Sequence, residues 1–210
     1  MRSGDIIQSA DIALAALTRA VETDWSARAG DLEWSCRRTL DHIVDTLLLY
    51  GSYVATRAVE SRATIRNGDP EASVPVLLAH LDASARMLEL ICDGTRPPLR
   101  AFHPSGLSDA DGYRAMACSE VLTHTDDIAQ GLGLALLPPD GLCERIMTRV
   151  FLWAPDPREC PDRWAALRWC CGRTALPTRP RLDERWWWHA APIAEWDGTR
   201  NERTAPPAWR

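Results

Sequence analysis

Residues 35–60 read SCRRTLDHIVDTLLLYGSYVATRAVE, and their spacing decides the fold class. Apolar side chains recur at Leu40, Ile43, Val44, Leu47 and Val54, the pattern of a helix with one buried face. Ser35 in front of them has the short polar side chain that caps a helix N-terminus. Upstream, residues 4–21 place Ile6, Ala10, Ala13, Leu14, Leu17 and Val21 at helical steps. Downstream, Asn67-Gly68-Asp69-Pro70 breaks the chain. Residues 71–92 then carry Leu77, Leu81, Leu88 and Ile91 at heptad-like steps and stop before Gly94 and Pro97-Pro98. An irregular stretch, RPPLRAFHPSGLSDADG, leads into a fourth helix predicted from Asp109 to about Leu132, ending near Gly131 and Gly133. Residues 140–153 and 162–171 are predicted as shorter helices. Period-2 alternation is almost absent. Four long helices with short connections predict an all-α, up-and-down four-helix bundle with extra short helices.

A chain of 210 residues can bury one substantial core, here assigned to residues 1–175. From Pro177 the character changes: Trp186, Trp187, Trp188, Trp196 and Trp209 stand among prolines and arginines without helical periodicity. Residues 176–210 are too few for a second domain and too aromatic to be left in water, so they are expected to pack on the bundle. They serve there either as plain packing or as a lid or substrate wall, and Arg179, Arg181 and Arg185 are candidates for an anion contact. The tryptophan content is also compatible with a homodimer.

All 24 basic residues are arginine, against 29 acidic ones, for a net charge of −5. The mild acidity and the lack of an Arg-rich stripe argue against a nucleic-acid binder. No run of about 18 apolar residues is present to span a membrane. Asp5 and Asp11 interrupt the first apolar stretch, so it does not read as a secretory signal. The seven cysteines are odd in number and form no C-x-x-C pair, which predicts buried, reduced thiols and a cytoplasmic protein.

The chemistry sits on two of the helices. Glu120 and His124, in SEVLTHTDD, lie four residues apart and so on one helical face. Such a pair can converge on a divalent ion, or can be an ordinary exposed ion pair. Asp127, one turn further on, either orients His124 or simply solubilises the helix. His42 lies beside the inward face of the second helix, where a histidine is either a satisfied core residue or a third ligand. Two imidazoles and one carboxylate presented inward would leave one coordination position open, the arrangement of a catalytic zinc site. His80, His103 and His189 have no such partners at helical spacing, and His103 and His189 are at most pocket residues.

Three elements carry a family resemblance: Trp34 to His42 (WSCRRTLDH), Glu120 to Ala129 (EVLTHTDDIA), and the Gly172-Arg173 that closes the last predicted helix. Together they resemble the metal-binding N-terminal domain of mycothiol-dependent maleylpyruvate isomerases, in the DinB-like superfamily. The resemblance implies a DinB-like four-helix bundle holding a divalent metal, commonly zinc, on His42, Glu120 and His124. It further implies an isomerase or S-transferase that activates mycothiol for attack on a small electrophile. Family isomerases carry a second α/β domain with an active-site arginine. Only 210 − 173 = 37 residues follow Arg173 here and they do not resemble that domain, so maleylpyruvate isomerisation itself is not expected. Two further uses stay open: a hydrolase with a metal-bound water, and a non-catalytic metal- or ligand-binding stress protein.

Overall fold

Among the described residues there are six α-helices, α1 (Asp5–Leu17), α2 (Cys36–Thr56), α3 (Val74–Asp93), α4 (Ala110–Gly131), α5 (Asp140–Val150) and α6 (Arg163–Cys170), with three short 3-10 turns besides. The computed structural model describes residues 1–204 and 207. Among the described residues, β pairing is confined to isolated bridges, so the fold is all-α.

Local chemistry sets the helix ends. The Ser35 hydroxyl accepts the Arg38 N–H at 3.2 Å and opens α2 as expected. That helix stops at Thr56, short of the expected residue 60, because Arg57 turns into the left-handed region at φ 50°. Helix α3 begins at Val74 rather than residue 71. Asp69 Oδ1 accepts the N–H groups of Glu71 and Ala72, each at 3.1 Å, and holds the chain in a turn before Pro75. Asp109 caps α4 through the Gly112 N–H at 2.7 Å. Helix α5 ends at Val150 instead of 153, where Phe151 leaves helical geometry at φ −118°, ψ 51°.

Helix α2 packs on α3 and α4, α1 packs on the same two, and α5 and α6 build outward from α4. The innermost helix is α4, buried on every face from Gly112 to Ala129 although it carries Arg114, Glu120, His124, Asp126 and Asp127. Charges so placed are tolerated only when partnered. At one end, Arg114 Nε donates to Glu89 Oε1 of α3 at 2.7 Å, and Glu89 Oε2 accepts the Ile6 N–H at the start of α1 at 3.0 Å. One ion pair thus pins three helices and places a carboxylate on a helix N-terminus. At the other end, a Cβ on Gly131 would stand 2.3 Å from Arg28 O and 2.6 Å from Cys36 Sγ. Glycine therefore lets the end of α4 close on the start of α2, which sets their facing side chains in register.

The segment after α6 lies across the helices. Trp186, Trp188, His189 and Ala190 are buried, and Trp187 and Trp196 half-buried. The His189 N–H donates to Val150 O at 2.8 Å, the Ser108 hydroxyl to Ala190 O at 2.8 Å, and Trp169 Nε1 to Pro180 O at 2.8 Å. Trp209 lies outside the described residues. No helix among the described residues is long and apolar enough to cross a membrane. All seven cysteines are free thiols, six of them buried.

Candidate metal centre

The facing sides of α2 and α4 bring His42, Glu120 and His124 to one point. Glu120 Oε2 lies 3.1 Å from His124 Nε2 and 3.7 Å from His42 Nε2, and one ligand atom from each residue falls within 4.8 Å of the others. A tetrahedral ion with ligands at about 2.1 Å requires ligand atoms about 3.4 Å apart, which the two distances from Glu120 bracket. Glu120 is 7% exposed and His124 3%, with His42 at the rim at 20%. Glu120 Oε2 is buried and makes no hydrogen bond among the described residues. The three side chains can therefore hold a metal ion.

Asp127 decides which nitrogen of His124 faces that point. His124 Nδ1 lies 3.0 Å from Asp127 Oδ2, an acceptor, so Nδ1 carries the proton and Nε2 turns toward Glu120. An imidazole lone pair and a carboxylate oxygen 3.1 Å apart repel each other unless a proton or a cation lies between them. Asp127 is held in turn by Arg173, whose Nε and Nη2 each donate to it at 2.9 Å. Gly172, at φ 65° with Trp186 Nε1 2.8 Å from a would-be Cβ, makes the tight exit from α6 that delivers Arg173.

Electrostatics favour this arrangement. Burial works against charge on His124, but Asp127 and Glu120 outweigh it and raise its pKa above the ordinary value. Burial likewise opposes charge on Glu120, and the two imidazoles overcome it and hold its carboxyl well below the usual range. Burial is the leading cause that keeps His42 below its usual pKa, and so neutral and ready to donate a lone pair. The His42 ring stands edge-on to Trp34 with centroids 5.0 Å apart, and Arg38 lies over Trp34 at 4.5 Å. Asp127→Ala is expected to weaken metal binding about 10- to 100-fold, the usual cost of losing the group that orients a ligand histidine. Metal titration of the variant by calorimetry checks it.

Two cavities adjoin Glu120, the smaller of them also His124. One, of about 10 Å³ and bordered by Ser119, Thr123, His124 and Cys171, has room for about one water. The other is an open cleft of about 380 Å³ that meets Glu120 and Thr46. Comparison with family models, with curated proteins and with solved structures returned no match.

The remaining sequence candidates fall elsewhere. His80 is exposed on α3. His189 is buried with Nε2 3.2 Å from Pro192 O. His103 lines the cleft as a pocket residue, kept neutral by burial, which pushes its pKa down to about 3. The arginines considered for an anion contact do not line either cavity beside the ligands: Arg179 lies over Trp169 at 5.6 Å, Arg181 pairs with Asp31 at 2.5 Å, and Arg185 pairs with Asp183 at 2.8 Å. The arginine of this segment that reaches the cleft is Arg203. Spacing gave no signal for it, because the segment has no period that relates residue 203 to α4.

Proposed function

We propose that the chain is a metal-dependent enzyme that activates a low-molecular-weight thiol for transfer to, or isomerisation of, a small electrophile. In this reading it is a DinB-like bundle related to the mycothiol-dependent maleylpyruvate isomerases, zinc is its metal and mycothiol its thiol. The observation that carries the reading is the convergence of His42 Nε2, Glu120 Oε2 and His124 Nε2 beside an open cleft. A divalent ion on one carboxylate and two imidazoles, with a position left open, supplies the electrostatic stabilisation that makes a bound thiol a thiolate at neutral pH.

The protein's own groups serve that chemistry in definite ways. Arg173 and Asp127 fix the orientation and tautomer of His124. Trp186 and Trp188 border the inner cavity and limit water there. The thiol that borders the inner cavity, Cys171, sits 3.4 Å from Thr123 Oγ1 and 3.5 Å from Ser119 Oγ, and burial pushes its pKa up. It is a poor nucleophile, so the reacting sulfur has to arrive as a co-substrate. The cleft supplies the route.

The water-sized cavity beside His124 supports a second reading, in which the same three ligands activate water for hydrolysis. One assay separates the two. Zinc-loaded protein is incubated with a panel of electrophiles and thiol esters, with and without mycothiol. The thiol reading predicts turnover only when both zinc and mycothiol are present, and loss on chelation. Hydrolysis that needs zinc and ignores mycothiol would replace it with the second reading, and metal binding without any turnover would leave a binding protein.

A further inference from the structure

The cleft beside Glu120 has a wall of its own chemistry. Tyr50, Tyr53, Phe102, His103, Trp187 and Trp188 give it aromatic sides. The rings meet edge-to-face or tilted: His103 stands 5.9 Å from Tyr50 and 5.6 Å from Trp188, and Tyr53 5.6 Å from Phe102. Such edge-on and tilted arrangements are those in which a further ring packs well. Its charged residues are Arg62, Arg203 and Glu120, and Glu120 is committed to the cation site. The guanidinium of Arg203 lies 5.0 Å from the Trp187 ring centre, 5.2 Å from that of Trp186 and 6.0 Å from that of Trp188. Its backbone N–H donates to Arg185 O at 2.9 Å, which anchors this part of the chain. A guanidinium fixed by aromatic faces matches the two oxygens of a carboxylate.

We propose that this cleft binds an aromatic carboxylate, with its carboxylate on Arg203 and its ring among Tyr50, Phe102 and Trp187. The inference deepens the reading above by naming a substrate class, and rests on it only for the role of the neighbouring cation. His103 adds selectivity without charge: its Nδ1 accepts the Ser105 N–H at 3.1 Å, which leaves the proton on Nε2. The volume of about 380 Å³ suits one fused bicyclic ring with its acid group.

Calorimetry with 2-naphthoate and its uncharged analogue 2-naphthamide tests the assignment on the full chain, zinc-loaded and after chelation. Naphthoate is expected to bind zinc-loaded protein at least about tenfold more tightly than naphthamide, the worth of a hydrogen bond to a charged group. Arg203→Gln should remove that preference and leave zinc content unchanged. Arg203→Lys should restore part of it, and Arg185→Gln, in the same segment but outside the cleft lining, should have no effect. After chelation the preference is expected to shrink, because the Glu120 carboxylate then faces the anion, but to remain dependent on Arg203. Equal binding of acid and amide, no binding of naphthoate, or indifference to Arg203→Gln would each overturn the proposal. Naphthoate binding that requires zinc and ignores Arg203 would make the carboxylate a ligand of the ion, which rejects the Arg203 site and keeps the metal site. Binding dependent on Arg203 in a protein that takes up no zinc would do the reverse.

Discussion

Alanine at His42, Glu120 or His124 is expected to abolish stoichiometric binding of a divalent metal ion, and His80→Ala to leave it intact. An intact four-donor zinc site is worth about 10–16 kcal/mol, so one donor of a similar site contributes about 3 kcal/mol, more than a hundredfold in affinity. The thiol beside the site, Cys171, is no ready replacement, because burial pushes its pKa up. Zinc at about a hundred times its dissociation constant stabilises the fold by about 2.7 kcal/mol, which raises Tm by roughly 5–10 °C in a chain of this size. That shift is expected in the parent protein and in His80→Ala, and in none of the three ligand variants. Elemental analysis after dialysis, together with thermal scans with and without chelator, measures both quantities.

The largest effect on stability is expected from Arg114→Met. Its guanidinium holds Glu89, whose side chain is 3% exposed, and loss of one partner leaves a charge buried in the contact of α1, α3 and α4. Breaking a buried pair from one side costs about 3–5 kcal/mol, or roughly 10 °C in Tm. The cost is the stranded charge rather than the lost contact. Adding Glu89→Gln to Arg114→Met should therefore recover part of the loss, and a double-mutant cycle measures it. Asp93 and Asp111 also face Arg114, but their side chains are 42% and 50% exposed. Their alanine variants should cost less than about 1 kcal/mol.

How far these features were legible in the sequence follows from how far each interaction reaches along the chain. Ser35, Asp109 and Asp162 act on N–H groups three residues away, and each caps the helix expected at its place. The end of α2 was not legible, because Ala58 and Val59 prolong the apolar character beyond the left-handed Arg57. Glu120 and His124 share a helical face by spacing alone. Their meeting with His42 needs the close approach of α4 and α2, which depends on contacts such as that of Gly131 with Arg28, about a hundred residues away in sequence. Asp127 was legible as a possible support for His124 because it lies three residues on, whereas its grip by Arg173 across 46 residues is a product of packing. Arg203 is the extreme case. It reaches the cleft through a segment held by long-range backbone contacts such as His189 with Val150, which no local pattern encodes.

X-ray absorption at the zinc edge of the loaded protein reads whether the cation is held by His42, Glu120 and His124 with one position open to an incoming sulfur. Two imidazole nitrogens and carboxylate oxygen at about 2.0–2.2 Å are expected with one further light-atom ligand, and a new sulfur at about 2.3 Å on addition of mycothiol. A sulfur ligand already present without added thiol, or a zinc spectrum unchanged by His124→Ala, would contradict this coordination.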